Sequence, residues 1–257
     1  MSREDPDVID SVEKAFRMLE AFTADAPQLT VSEAARRTDL TRATARRLLI
    51  TFERLGFARS GRHGFELTPR VLRLGHGYLS ALPLWQTALP HMRELADALC
   101  EACSLAALDD GDIVYLARVP SSRSMTVNLN VGSRLPAHAT SMGRVLLAGL
   151  DDAALDGFLA EARFERLTEH TIVDPARLRA EVEATRERGW ATVDGEREIG
   201  VRSCAAPILD AQRSVLAAIN VSANAARVDH EQMVSEFVPA LVRAAEEISR
   251  DLGFRPA

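Results

Sequence analysis

The 257-residue sequence predicts an α/β (α+β) protein in two parts, a small helical domain with a two-stranded ribbon followed by a larger mixed α/β domain. Three observations predict it. Two short capped helices and a basic ribbon follow one another between residues 30 and 70. The hydrophobic period then changes from 3.6 to 2 near residue 105. A basic island also sits inside an otherwise acidic chain.

Each element follows from local chemistry. Residues 11–24 form the first predicted helix, where Val12, Ala15, Phe16, Leu19 and Phe22 recur at helical spacing and make the packing stripe. Thr30-Val31-Ser32-Glu33 is a capping box, in which a threonine oxygen caps the new helix and Glu33 reaches back to the threonine amide. Thr38-Asp39-Leu40 reads as a turn, and Thr41 caps a second helix running to about Arg54. On that helix Ala45, Leu48, Leu49, Phe52 and Leu55 face inward, while Ala43, Arg46, Arg47, Ile50 and Arg54 fall opposite. Beyond Gly56, residues 57–67 form two short alternating runs around a basic, glycine-containing turn. Together these elements predict a winged helix-turn-helix. Its expected DNA contacts are Arg42, Ala43, Thr44, Arg46 and Arg47 on the recognition helix, with Arg59 and Arg62 in the wing.

Charge supports that expectation. The chain totals −6, yet residues 36–73 hold ten arginines against Asp39, Glu53 and Glu66, a local +7. Residues 1–35 carry three basic and eight acidic groups and residues 74–257 carry eighteen and twenty-six, giving −5 and −8. A basic island in an acidic protein suits a phosphate backbone, whereas the bland alternative is a solvated helix face.

Thr68-Pro69 is a helix start with proline at the first helical position, and the helix over residues 70–81 carries Val71, Leu74, Tyr78 and Leu79. A long helix after Pro83 presents Trp85, Ala88, Leu89, Met92, Leu95, Ala96 and Leu99. Residues 105–108 and 113–119 then predict a hairpin, and 125–129 a third strand. Helices are expected over 141–150, 151–160 and 175–188, strands over 191–193, 203–209 and 216–222, and a closing helix over 229–252. The domain boundaries drawn from this are 1–70 for the winged domain, 71–83 for a linker helix and 84–257 for the α/β domain.

Other chemistry is thinly represented. No apolar run approaches the ~20 residues that span a bilayer. The polar N-terminus lacks the apolar core of a signal peptide, so a cytoplasmic protein without membrane contact is expected. Cys100 and Cys103, expected to close a helix, and Cys204 are odd in number and read as structural thiols, with no metal site. Asp109-Asp110-Gly111-Asp112 lacks the later ligands of a calcium loop and reads as a hairpin turn. His138, His170, Asp194 and Glu196 could be assembled on paper into an acid–base site, so an enzyme with a fused DNA-binding domain acting on a small organic acid is the alternative. There is no nucleophile elbow, zinc-spaced histidine pair or phosphate-binding glycine loop, and no catalytic residue or cofactor is expected. A ligand-independent architectural DNA binder would not need so large a second domain.

Residues 141–143 place free amides at a helix start, where a carboxylate is attracted. Asn220 and Ser222 share one face of a strand and either line a cavity or meet solvent. Arg144 is either a second anion contact or a solvated helix arginine.

Several blocks carry a family resemblance over essentially the whole chain. They are residues 40–49 (LTRATARRLL), 67–72 (LTPRVL), 132–148 (GSRLPAHATSMGRVLLA), 188–190 (RGW) and 200–207 (GVRSCAAP). With them the chain resembles the IclR family of bacterial transcriptional regulators, and residues 141–147 with 82–85 look most like the branch controlling aromatic-acid catabolism through the β-ketoadipate pathway. Many relatives carry Pro-Lys where Thr41-Arg42 stands here. The resemblance implies a GAF-like effector-binding domain, a small carboxylate or aromatic-acid effector, double-stranded operator DNA, and assembly as a homodimer or homotetramer. It also implies that Ser141, Met142, Asp194, Ser203, Asn220 and Ser222 line the effector pocket.

Overall fold

The computed structural model describes residues 7–81, 84–121 and 129–255. The chain divides into two compact units, Met1–Ala81 and Leu82–Ala257. The strand expected over 125–129 lies, apart from Leu129, outside the described residues.

The first unit runs α1 (Asp10–Glu20), β1 (Gln28–Leu29), α2 (Val31–Thr38), α3 (Arg42–Leu55), β2 (Ala58–Gly61), β3 (Gly64–Leu67), a single 3-10 turn and α4 (Leu72–Ala81). Both halves of the capping box form: Thr30 Oγ1 accepts from the Glu33 amide at 3.2 Å, and Glu33 Oε2 accepts from the Thr30 amide at 2.9 Å. Thr41 Oγ1 accepts from the Thr44 amide at 3.2 Å and starts α3. Met18, Leu29, Ala34, Ala45 and Leu49 are the buried centre of this unit. Two expectations need correction. Val12 and Phe16 are 48% and 53% exposed while Met18 is fully buried, so α1 packs through Ala15, Met18, Leu19 and Phe22. The apolar arc of this helix is wide, running from Met18 through Leu19 to Phe16, and periodicity cannot choose which part of it is covered. Leu55, expected inside, is 51% exposed at the helix end.

The wing is a three-stranded antiparallel sheet of order β1-β3-β2, and β1 gave no signal in the sequence. Gly64 permits it: at φ +141 its backbone passes so close to β1 that an added Cβ would lie 2.4 Å from the Leu29 carbonyl oxygen.

The second unit contains α5 (Leu84–Leu99), β4 (Ala102–Asp109), β5 (Asp112–Val119), β6 (Arg134–Pro136), α6 (Ser141–Ala148), α7 (Asp152–Glu161) and α8 (Pro175–Arg188). It closes with β7 (Ala191–Asp194), β8 (Val201–Leu209), β9 (Val215–Asn224), α9 (His230–Gln232) and α10 (Val238–Asp251). The strands form one antiparallel sheet of order β6-β5-β4-β9-β8-β7. On one face α5 and α10 bury Met92, Leu105, Ile219 and Leu241; on the other α6 and α8 bury Leu147, Val182, Ala205 and Ala218. The closing helix, expected as one piece, widens to a π turn over Met233–Phe237 just before Pro239, which has no amide to donate. Asp110 and Gly111 both take positive φ, 47° and 80°, in the β4–β5 hairpin turn.

The β4–β5 ladder contains a bulge. Leu105 pairs with Ala117 but Ala106 pairs with Tyr115, which leaves Leu116 as the extra residue. Leu116 and Ala117 therefore both join the α5–α10 core, and Tyr115 and Arg118 both turn to the other face. The two bulged neighbours set the chemistry of that face.

Candidate functional site

In the first unit the recognition surface is built on α3. Arg42, Ala43, Arg46 and Arg47 are exposed, Ala45 and Leu49 are buried beneath them, and Thr44 is half-buried. The Thr44 hydroxyl lies 2.9 Å from that of Thr41 and so is already engaged in the cap. Among the described residues no carboxylate pairs with Arg42, Arg46 or Arg47; the unit's ion pairs are Lys14–Asp10, Arg17–Glu13 and Arg59–Glu66. The two wing cations therefore differ. Arg62 stands exposed in the hairpin turn, whereas Arg59 is held by Glu66, whose carboxylate also accepts from Gln28 at 2.7 Å. Arg59 and Gln28 together keep the Glu66 carboxyl below its ordinary range.

In the second unit a cavity of about 260 Å³ opens between the sheet and the start of α6. That is near the lower end of the roughly 300–1,000 Å³ usual for small-molecule sites. Ser141, Met142, Ser203, Asn220 and Ser222 all line it. Ser141 Oγ lies 2.9 Å from Ser203 Oγ, and Asn220 Nδ2 donates to Ser222 Oγ at 3.0 Å. Register explains the grouping: Ser203 pairs with both Val193 and Ser222, and Asn220 pairs with Ser104, so alternate residues of four strands share one face.

Asp194 does not join them. Its neighbour Val193 faces the cavity, so Asp194 points to the other side of β7, where it forms an ion pair with Arg202 and is half exposed. The amide set also narrows. Thr140 Oγ1 accepts from the Gly143 amide at 3.0 Å, leaving the amides of Ser141 and Met142 at the helix start. Gly143 itself packs on the backbone before α6, where an added Cβ would lie 2.0 Å from the Ala137 carbonyl oxygen.

Arg144 is neither an anion contact nor solvated. It is 1% exposed, donates to Glu196 Oε2 at 2.7 Å and to the His138 carbonyl at 3.1 Å, and so ties α6 to the segment before β8. The acid–base set imagined from the sequence does not converge. His138 is buried, with Nε2 3.1 Å from the Glu165 carbonyl and its ring edge-on to Phe164. His170 is exposed, Asp194 belongs to Arg202, and Glu196 belongs to Arg144. Burial lowers the His138 pKa below its ordinary value. Cys103 lies in β4 rather than at a helix end, and Cys103 and Cys204 are buried thiols whose pKa is raised by desolvation, that of Cys204 to about 12. Among the described residues no group of three or more His, Cys, Asp or Glu side chains could hold a metal ion, and no helix is long and apolar enough to cross a membrane.

Periodicity missed Tyr115 and Arg118 on β5, Glu101, Arg197 and Arg227, all of which border the cavity. A signal was present for one of them. Arg118 is a lone cation in the apolar run Ile113-Val-Tyr-Leu-Ala-Arg-Val119. The bulge hid the other, because it puts Tyr115 and Arg118 on the same face at odd separation.

Comparison with known proteins matches both units. Residues 11–61 match the IclR helix-turn-helix domain and residues 76–250 the C-terminal domain of the bacterial transcriptional regulator IclR. The chain is 41% identical to the Pca regulon regulatory protein of Pseudomonas putida, over 96% of this chain and 86% of that one. It is 34% identical to the p-hydroxybenzoate hydroxylase transcriptional activator of Acinetobacter baylyi, over 94% and 91%. A crystal structure from Rhodococcus sp. RHA1 is 46% identical, covers 95% of this chain and 98% of its own, and superposes with a TM-score of 0.84. An IclR homolog from Microbacterium hydrocarbonoxydans, complexed with 4-hydroxybenzoate, is 28% identical with a TM-score of 0.83, over 95% and 99%.

Proposed function

This chain belongs to the IclR family of bacterial transcriptional regulators, and on that premise we propose that it reads an operator with residues 1–70 and senses a small aromatic or aliphatic acid with residues 84–257, the two joined by the helix within 71–83. Arg42, Ala43, Thr44, Arg46 and Arg47 meet base edges and nearby phosphates, and Arg59 and Arg62 add wing contacts to the backbone. The effector lies against Ser141, Met142, Ser203, Asn220 and Ser222. Its class is that of the small acids of aromatic catabolism, such as hydroxybenzoates, protocatechuate or the dicarboxylate β-ketoadipate. A homodimer or homotetramer presents paired winged domains, so the operator is a pseudo-palindrome with half-sites one or more helical turns apart. The protein works in the cytoplasm, where the chromosome is, and performs no catalysis.

The observation that best supports this reading is the coexistence in one chain of an unneutralised arginine face on a capped helix and a polar-lined cavity. Sensing requires the acid to bind one arrangement of the winged domains better than the other, since equal affinity would shift nothing. Calorimetry of the full chain with 4-hydroxybenzoate, protocatechuate and β-ketoadipate, with and without operator DNA, tests it. Acid affinity that changes when operator is bound is the expected result. Acid binding indifferent to operator, or variants that lose DNA binding yet keep the ligand response, overturns the coupling.

A further inference from the structure

Three guanidinium groups border the cavity, and two are already neutralised. Arg197 Nη1 lies 3.1 Å from Glu198 Oε2, and Arg227 Nη2 lies 2.5 Å from Glu101 Oε1. Arg118 has no ion pair among the described residues. Its side chain donates from Nη1 to a neutral acceptor, Ser104 Oγ, at 3.3 Å. A guanidinium carries five N–H donors and stays charged, so most of its donor capacity is open toward the cavity. A half-buried cation without a counter-ion costs free energy that an incoming anion recovers.

A second unmet group stands in the same row. Asn220 is 4% exposed; its Nδ2 is used by Ser222, and among the described residues its Oδ1 has no hydrogen-bond donor. The register places Arg118, Ser104 and Asn220 side by side on β5, β4 and β9. The open cation and the open acceptor are therefore two strand spacings apart, roughly 10 Å between Cα atoms. The two groups call for complementary ends of one ligand, an anion at Arg118 and a hydroxyl that donates at Asn220.

We propose that Arg118 is the residue that makes this cavity select an acid: it binds the effector's carboxylate, and Asn220 receives a hydroxyl from the other end, so the effector class is a hydroxy-substituted monocarboxylate. This rests on the cavity being the effector site and goes further, because it assigns the ligand's direction. The charge lies against β5, and the neutral end lies toward Asn220, Ser222 and the Ser141–Ser203 pair. A dicarboxylate would place its second charge against the Asn220 Oδ1 acceptor, which offers it no donor, a poorer match than a hydroxyl.

The test is calorimetry of the full chain with 4-hydroxybenzoate, its neutral isostere 4-hydroxybenzamide, benzoate and adipate. The wild type should bind 4-hydroxybenzoate best. Arg118→Met should weaken it roughly 10- to 100-fold, as expected for losing a charge-assisted hydrogen-bonded pair, while the amide changes by less than about threefold. Arg118→Lys keeps the charge, should recover part of the loss, and serves where the Met variant fails to fold. Asn220→Ala should weaken 4-hydroxybenzoate but leave benzoate unchanged. An Arg118→Met protein that binds the acid like wild type, or a wild type that prefers adipate, overturns the inference. If Ser141→Ala and Ser203→Ala abolish acid binding while Arg118 variants do not, the effector site stands and this assignment falls. If none of the four compounds binds, the effector reading falls and takes this inference with it.

Discussion

Arginine serves opposite ends in the two units. On α3, Arg42, Arg46 and Arg47 stand exposed, and none of that unit's described ion pairs reaches them. In the Leu82–Ala257 unit Arg144, Arg179, Arg186 and Arg202 are each tied to a carboxylate, Glu196, Asp156, Asp152 and Asp194 respectively. The first group keeps its charge unneutralised among the described residues, and the second is committed to the chain's own architecture. An arginine beside an acid is committed within the chain and one without an acid keeps its charge available, and position in the sequence does not reveal which is which. By this criterion Arg118 resembles the α3 residues more than its own neighbours.

The contrast breaks first at Arg144. Removing one partner of a buried pair leaves the other charge unsolvated, and Arg144→Ala should cost about 3–5 kcal/mol in denaturant unfolding of the second unit. Replacing both Arg144 and Glu196 with apolar residues should recover much of it. A loss under about 1 kcal/mol for the single variant would show that the pair is not structural. Arg46→Ala and Arg47→Ala give the mirror result: stability within about 0.5 kcal/mol of wild type, but specific operator affinity weaker by about 1–3 kcal/mol each. If the double variant bound operator normally at moderate salt, the groove assignment on α3 would be wrong.

The wing sharpens the comparison within one unit. Arg62→Ala should weaken specific and non-specific DNA alike and lower the slope of log affinity against log salt by about 1. Arg59→Ala should do less, because Glu66 already neutralises that side chain. Equal effects in a salt-series anisotropy measurement would mean that Arg59 leaves Glu66 when DNA arrives.

The smallest expected effect is set by acid. Burial holds the His138 pKa below its ordinary 6.5. Well above that value His138 is neutral in both folded and unfolded chains and contributes no pH dependence. As the pH falls through about 6.5 the unfolded chain takes the proton first, so stability is lost, by at most about 1.4 kcal/mol per pH unit. His138→Gln should flatten that limb of the stability profile below about pH 6.5; an unchanged slope would assign it to other groups.

The DNA-reading half is legible because its signals are local. The capping box at Thr30–Glu33, the cap at Thr41 and the arginines of α3 all lie within a few residues of what they act on. The exceptions in that unit, Val12, Phe16 and Leu55, are apolar residues left outside, where hydrophobicity alone does not decide between core and surface. In the α/β unit the strands and helices are legible from period and caps, but the cavity is assembled from register. Asp194 falls on the face opposite to the one expected because a one-residue step reverses a strand side chain. Arg118 and Tyr115 escape a reading by alternation because a bulge suspends it. Arg144 is ambiguous in the sequence because its partner Glu196 is 52 positions away.

The bulge at Leu116 has a consequence for how such a sensor can change its taste. With Leu116 paired in a regular ladder at the present length, alternation would resume, Ala117 would face the cavity and the Arg118 guanidinium would turn into the α5–α10 core. On the assignment of Arg118 proposed above, keeping or losing the bulge is a coarse selector between charged and uncharged ligands, and substitutions at Ser203, Asn220 or Ser222 are the fine one. A lineage that straightens the bulge would abandon acids in one step and then adjust the new specificity one side chain at a time.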